Sequence, residues 1–406
     1  MPEHLQLPFP DVAGPAARAT QPPPFDEIVA RARRRRRRTV LGAAGVVAVA
    51  VIAVAAGATL TTGDDGSAPQ PVGPSPSATT SPSPTPAPRR DADPAEVVRD
   101  GRLVSMAVSA KGSLLTVWQR CENQGARCRT AWQLQGGAGI TRALVRGNFA
   151  SAEAAGDSIV VTSWDHPGVV VDEDGRSRPL QAIATGTVTP GDALIRLGKS
   201  LAVIDPVAAA SWPLPVPDGV EGWVHGTIAP DGTVWALPFR AAPPIDVRVS
   251  WLEPGTTAWR NHVISTSFGD GPGPGPLAVA NDHAATMSLH DGVDVASYGR
   301  FAITTDAGAS WSDLRSSDLP FDNVDAMAAT SGGTLYVAST DATGVDRVFR
   351  STDATWRHFA EVPGARGAYE LVAAGARVVA ARGPQTGPEV LTLDDAGHAT
   401  VWAEFR

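Results

Sequence analysis

The chain has 406 residues, enough for a sizeable hydrophobic core beside other segments. Its 34 Lys and Arg against 42 Asp and Glu give a net charge of −8, unevenly spread. Residues 1–38 hold eight Arg against four acidic side chains; the remainder is strongly acidic, which argues against nucleic acid and anionic membrane surfaces as its partners.

Residues 1–24 are rich in Pro and Ala and read as disordered. From Phe25 to Arg38, Phe25, Ile28 and Val29 share one helical face, so this stretch is either a short juxtamembrane helix or a solvated basic stub. Six arginines follow one another, Arg33, Arg34, Arg35, Arg36, Arg37 and Arg38. Directly after them, Val40 to Leu60 carries no charge over twenty-one residues, about 31 Å of helix, or one bilayer core. Arginines favour the cytoplasmic side, and Asp64 and Asp65 flank the other end. The expected organisation is a cytoplasmic basic stub (1–38), a transmembrane helix (39–60), and a single-pass cell-membrane protein whose C-terminal domain is extracellular. Ala56-Gly57-Ala58 resembles a cleavage site, but the 38 residues ahead of the apolar run, and its length, favour an uncleaved anchor. Lys111 and Lys199 are the only lysines, a bias that suggests a GC-rich bacterial coding genome.

Residues 61–95 form a low-complexity linker with eight prolines between Pro69 and Pro88. Such chain is extended at about 3.1 Å per residue and holds a distal domain off the membrane as a disordered stalk, with Ser and Thr open to O-glycosylation.

Residues 96–406 read as the globular part. No amphipathic helix is evident. Short β-branched runs recur, each after a Gly or Asp turn: 113–118, 158–163, 334–339 and 377–381. They compose repeating units at 103–138, 144–180, 181–217, 223–266, 277–316, 323–363 and 368–406, with units three and four least regular. A spacing of roughly 44 residues is that of four-stranded propeller blades. The fold class is therefore all-β, a β-propeller of about seven four-stranded blades, with six or eight also compatible with the spacing.

In the fifth unit a turn reads Thr304-Thr-Asp306-Ala-Gly308-Ala-Ser310-Trp311. It resembles the Asp box of the sialidase-like (BNR-repeat) propeller families. Degenerate copies stand at the same place in later units, with Asp353 and Trp356, and with Asp395, Gly397 and Trp402; Ser250 to Trp259 is a weaker echo. The box is structural: Asp accepts turn hydrogen bonds, Gly takes a left-handed conformation and Trp packs between sheets. In the families it resembles, the box lies away from the binding face.

Cys121 and Cys128 flank a six-residue turn between two strand-like runs. An extracytoplasmic pair on a hairpin invites a disulfide, whereas a metal site needs more ligands.

The resemblance raises sialidase chemistry: a Tyr nucleophile, an Asp acid/base and three Arg on a substrate carboxylate. The Arg-Ile-Pro motif of that family is missing, and only Tyr298, Tyr336 and Tyr369 are present. Tyr336 reads as core. Tyr369 and Glu370 are adjacent on a strand and point to opposite faces. Ser158 with Asp395 and His398 mimics an esterase triad, but Asp395 sits at the box position and the fold pattern is wrong for that family. Asp172-Glu-Asp174-Gly175 reads as a hairpin turn and lacks the downstream Glu of a calcium loop. His283 and His290 lack zinc-helix spacing. Gly269 to Pro276 reads as a surface insertion that cannot form a strand.

The sequence thus names no catalytic residue, no metal ligand, no cofactor and no specific binding residue. The leading expectation is non-catalytic recognition of a glycan, envelope polymer or protein on one propeller face. A diverged glycosidase and an envelope sensor signalling through its cytoplasmic stub are the alternatives.

Overall fold

The structure is a computed structural model. It describes residues 93–404 except 123–126, 138, 148–149, 164–167, 198–199, 217–219, 240–244, 268–272, 290–299, 316–317, 322–323, 342 and 385. The arginine run, the apolar segment 39–60 and nearly all of the 61–95 linker lie outside the described residues. Among those described, no helix is long and apolar enough to cross a membrane.

A short helix opens the described chain. In α1 (Pro94–Asp100) the Asp93 side chain caps the first turn by accepting the Ala95 N–H at 2.9 Å, and proline takes the first position, where no N–H is needed. The sequence reading placed no helix here; seven residues are too few for a periodicity to show. One face, Val97 and Val98, is buried.

Among the described residues seven four-stranded sheets follow, antiparallel except for one parallel pair in the third. Blade 1 comprises β1 (Arg102–Val108), β2 (Leu114–Glu122), β3 (Arg127–Gly136) and β4 (Gly139–Val145). Blade 2 comprises β5 (Ala150–Ala155), β6 (Ser158–Ser163), β7 (Val169–Val171) and β8 (Ser177–Pro179). Blade 3 is built from β9 (Gln181–Ala182), β10 (Ala193–Leu197), β11 (Ser200–Asp205) and β12 (Ala210–Pro213). Blade 4 has β13 (Gly222–Ile228), β14 (Val234–Phe239), β15 (Ile245–Leu252) and β16 (Arg260–Ser267). Blade 5 has β17 (Gly273–Ala280), β18 (His283–Leu289), β19 (Arg300–Thr304) and β20 (Ser312–Arg315). Blade 6 has β21 (Ala326–Ala329), β22 (Leu335–Thr340), β23 (Asp346–Ser351) and β24 (Phe359–Glu361). Blade 7 closes with β25 (Ala368–Ala374), β26 (Arg377–Arg382), β27 (Glu389–Asp394) and β28 (Ala399–Glu404).

The innermost strands of successive blades, β1, β5, β10, β13, β17, β21 and β25, contact one another in a closed ring. They surround the propeller axis, and apolar clusters fill the gaps between blades. Blade 1 meets blade 7 through Leu103, Trp118 and Ala131 against Val379, Ala381 and Val390. Among the described residues no strand is exchanged at this closure. α1 joins the same cluster, so it helps to seal the ring.

Three details correct the sequence reading. Blade 1 extends to Val145, because β4 is an outer strand with exposed Ile140 and Leu144 whose pattern carries little core signal. Blade 3 takes its outermost strand from the entering chain: β9 pairs in parallel with β12, which explains the irregular third unit. Residues 273–276, read as unable to form a strand, open β17, with Gly273 and Pro274 opposite Leu289 and Ser288. An innermost strand bonds a neighbour on one edge only, so a missing proline N–H is tolerated, and a register shift before Leu277 absorbs the misfit.

Candidate functional site

In an up-and-down blade, the turns after the first and third strands emerge on one face, and the remaining connections on the other. The first face is stitched tight. Its hairpins β5–β6 and β25–β26 turn in two residues, with Gly156 and Gly375 at positive φ. Hydrogen bonds run between blades: Ala110 N–H to Gly156 O at 2.8 Å, Ser331 N–H to Gly375 O at 2.7 Å, and Thr330 Oγ1 to Asp395 Oδ1 at 2.6 Å.

The turns that hold Asp306, Asp353 and Asp395 lie on this face. Asp306 Oδ1 accepts the Ser310 N–H at 2.8 Å and Oδ2 the Ser310 hydroxyl at 2.5 Å; Thr304 adds its own hydroxyl. These donors hold the Asp306 carboxyl below its usual range. Gly308 has φ +85°, and a Cβ there would stand 2.7 Å from the Trp251 ring. Trp311 packs on Trp251 and Trp235 of blade 4, with ring centroids at 5.8 and 6.1 Å, and stacks on His262 at 4.8 Å. In blade 6, Asp353 Oδ1 accepts the Thr355 N–H at 2.8 Å, and its pKa falls to about 2 because this, the Thr355 hydroxyl and His358 outweigh an opposing desolvation. Trp356 is fully buried and donates to Gly333 O.

In blade 7 the register differs from the sequence alignment. Asp394, not Asp395, accepts the Ala396 and His398 N–H groups, at 3.0 and 2.9 Å. Asp394 is the last residue of β27, and Gly397 is left-handed in the turn that follows. Asp395 instead accepts from Thr330 of blade 6. Trp402 packs, partly buried, at the blade 1–blade 7 cluster.

The esterase-like set does not assemble: Ser158 opens β6 in blade 2, while His398 pairs with Asp394 at 3.0 Å in blade 7. Asp172 accepts the Arg176 N–H at 2.9 Å across a hairpin turn. His283 bonds Asp282 and Ala354 O. Among the described residues no group of three or more His, Cys, Asp or Glu could hold a metal. His290 and Tyr298 lie outside the described residues. Tyr336 is fully buried, its hydroxyl on Asp394 O. Cys121 and Cys128 face one another across the β2–β3 ladder and form a disulfide, Cα to Cα 4.0 Å.

The second face is where β18 ends and β19 begins and where β20 gives way to β21, and it also carries the disulfide-bonded β2–β3 hairpin and α1. Toward the axis stand side chains that the sequence did not single out. In β1, β13 and β25 the register shifts one residue after the strand begins, and the next residue is Ser105, His225 or Glu370. A bulge re-aims the residue that follows it. Ser105 Oγ accepts the Ala152 N–H of β5 at 3.1 Å, and Glu370 accepts from the Met106 N–H of β1. Each therefore links one innermost strand to the next.

Glu153, midway along β5, shares this space. Both carboxyls are partly exposed, yet protein surrounds them, and desolvation raises Glu153 to about 8 and Glu370 to about 7. The charge of Glu370 adds to the rise at Glu153, so the acids of blades 2 and 7 lie near one another across blade 1. Burial lowers the His225 pKa and keeps the ring neutral near pH 7. The Tyr369 hydroxyl is buried without a hydrogen-bond partner among the described residues, within the blade 1–blade 7 cluster. Two carboxyls titrating near neutrality can give and accept protons, which is the property such a site offers chemically. A Glu on an otherwise apolar innermost strand was the available sequence signal, because side chains there face either a neighbouring blade or the axis.

No family model matches the sequence, and no curated protein matches it. Among solved structures, the β-propeller domain of the Trilobed protease from Pyrococcus furiosus is similar with a TM-score of 0.50 at 12% identity, over 75% of this chain and 99% of that one. An acylaminoacyl peptidase from Pyrococcus horikoshii gives 0.48 at 10% identity over 75% of this chain, which spans 53% of the peptidase. YCF48 from Cyanidioschyzon merolae gives 0.43 at 11%, over 70% and 92%. At these identities the likeness is one of fold. Ring, blade count and likeness agree: the chain carries a seven-bladed β-propeller.

Proposed function

We propose that this protein is a single-pass membrane protein that presents its propeller outside the membrane as a recognition module. The binding surface is the second face, around the propeller axis, and the ligand is a glycan, an envelope polymer or a protein. The contrast between faces carries this reading: one is locked by turns such as that at Asp306 and by inter-blade hydrogen bonds, the other carries the disulfide-bonded hairpin, α1 and the polar residues Ser105, His225 and Glu370. Binding sites favour loops held on a rigid scaffold. Residues 33–60 support the anchor by their sequence, and the Cys121–Cys128 disulfide suits an oxidising compartment. The Asp306 turn is consistent with a sialidase-like relationship, although fold alone assigns no activity.

Glycoside hydrolysis is the second reading. The pair Glu153 and Glu370, raised to about 8 and 7, favours it. The test exposes the full chain to a glycan and cell-wall array, with a fluorogenic sialoside assay alongside. Saturable binding without turnover supports recognition. Turnover abolished by Glu370→Gln supports hydrolysis and overturns the first reading.

A further inference from the structure

Blades 1 and 7 meet without sharing a strand, and the wedge between their outer parts stays open beside α1. It forms a pocket of about 260 Å³. Its walls include Arg99 of α1, Gln133 and Gln135 of β3, Ile140 and Arg142 of β4, and Ala403 of β28. Gln133 stands opposite Arg142 and Gln135 opposite Ile140 on the β3–β4 ladder, so all four project from one sheet face.

Gln133 is only 4% exposed, and its Oε1 accepts the Arg142 Nε–H at 2.6 Å. A buried carboxamide thus fixes the plane of an exposed guanidinium. Arg142 makes no ion pair among the described residues, and no acidic side chain lines the pocket. Arg99, on the opposite wall, is paired with its neighbour Asp100 at 2.9 Å. In a chain of net charge −8, an aimed and unpaired arginine in a recess selects an anion, and its planar fork matches a carboxylate. Beside it, Ile140 is 55% exposed and, with Ala403, offers an apolar flank, while Gln135 offers a donor and an acceptor.

We propose that this seam pocket binds a hexuronic acid residue, free or within an acidic polysaccharide. The carboxylate sits on Arg142, ring hydroxyls on Gln135, and the apolar ring face on Ile140 and Ala403. The volume lies just under that of pockets for larger ligands, which fits a single sugar ring. The pocket is independent of the surface around the axis, so it stands or falls apart from the reading above.

The test titrates glucuronate and galacturonate against the full chain by calorimetry, with glucose as the neutral control and polygalacturonate for the polymeric source. Both uronates bind saturably, glucose at least about tenfold more weakly. Arg142→Gln weakens uronate binding by about tenfold or more. Gln133→Glu does the same by placing a carboxylate against the guanidinium. Polygalacturonate binding that is lost in Arg142→Gln, with no monomer binding, assigns the site to the polymer. Equal binding of glucose, unchanged binding by Arg142→Gln, or silence with all four probes overturns the proposal.

Discussion

Glu153→Gln tests the desolvation of this carboxyl directly. In the folded chain this carboxyl keeps its proton up to about pH 8, against a reference value of 4.5. Between those values the folded state holds a proton that the unfolded state has released, so stability falls as pH rises, by up to about 1.4 kcal/mol per unit. The full interval sets an upper bound of about 5 kcal/mol; water reaching this partly exposed side chain reduces it to about 2–3 kcal/mol. Glu370 contributes in the same direction, and above pH 7 its charge adds to the penalty at Glu153. His225 and Arg196, also on innermost strands, are common to both proteins and cancel in the comparison. The glutamine keeps the shape and never ionises. Urea unfolding at pH 5 should therefore show the two proteins within about 0.5 kcal/mol, and at pH 8.5 the variant more stable by about 2–3 kcal/mol. An equal difference at both pH values, or a variant less stable at pH 8.5, would refute the placement of Glu153 in a desolvated site.

Gly308→Ala meets both a positive φ and the Trp251 ring, and should cost about 2–3 kcal/mol in chemical denaturation with the fold retained. Asp306→Ala removes the acceptors for the Ser310 N–H and hydroxyl and should cost about 2 kcal/mol by the same measurement. Joint replacement of Cys121 and Cys128 by Ser opens an eight-residue loop and should lower stability by about 2 kcal/mol, read as a shift in the urea midpoint. Val97→Ala loosens α1 from the closure and should accelerate hydrogen exchange at β1 and β25 before the other innermost strands.

Much of the propeller was legible because a blade is a local object. Its four strands are almost consecutive, and the runs at Leu114, Ser158, Leu335 and Arg377 announce each second strand by their apolar residues. The outer strands were harder: β4 and β8 touch solvent, so composition there reflects exposure more than pairing. β9 defeated the pattern altogether, because its partner β12 lies about thirty residues ahead and runs parallel to it. The Asp306 turn could be read residue by residue, since Asp, Gly and Trp each answer a local geometric need. The shift from Asp395 to Asp394 could not, because two adjacent aspartates offer equivalent chemistry and only the strand end decides between them. The residues toward the axis stayed hidden for a different reason. Ser105, His225 and Glu370 owe their direction to a register shift that leaves no mark in the sequence, and the coupling of Glu370 with Glu153 joins residues more than two hundred positions apart.

The central claim is that ligands meet the second face, which carries α1 and the disulfide-bonded hairpin. Arg366→Cys places a thiol on that face, in the connection from blade 6 to blade 7; Ala396→Cys places one on the opposite face, in the β27–β28 turn. Each full-length variant, coupled to a bulky polyethylene glycol, is tested on the glycan and cell-wall array. The account predicts saturable binding that is lost on coupling at residue 366 and kept on coupling at residue 396. Binding that survives at 366 and disappears at 396 would contradict it.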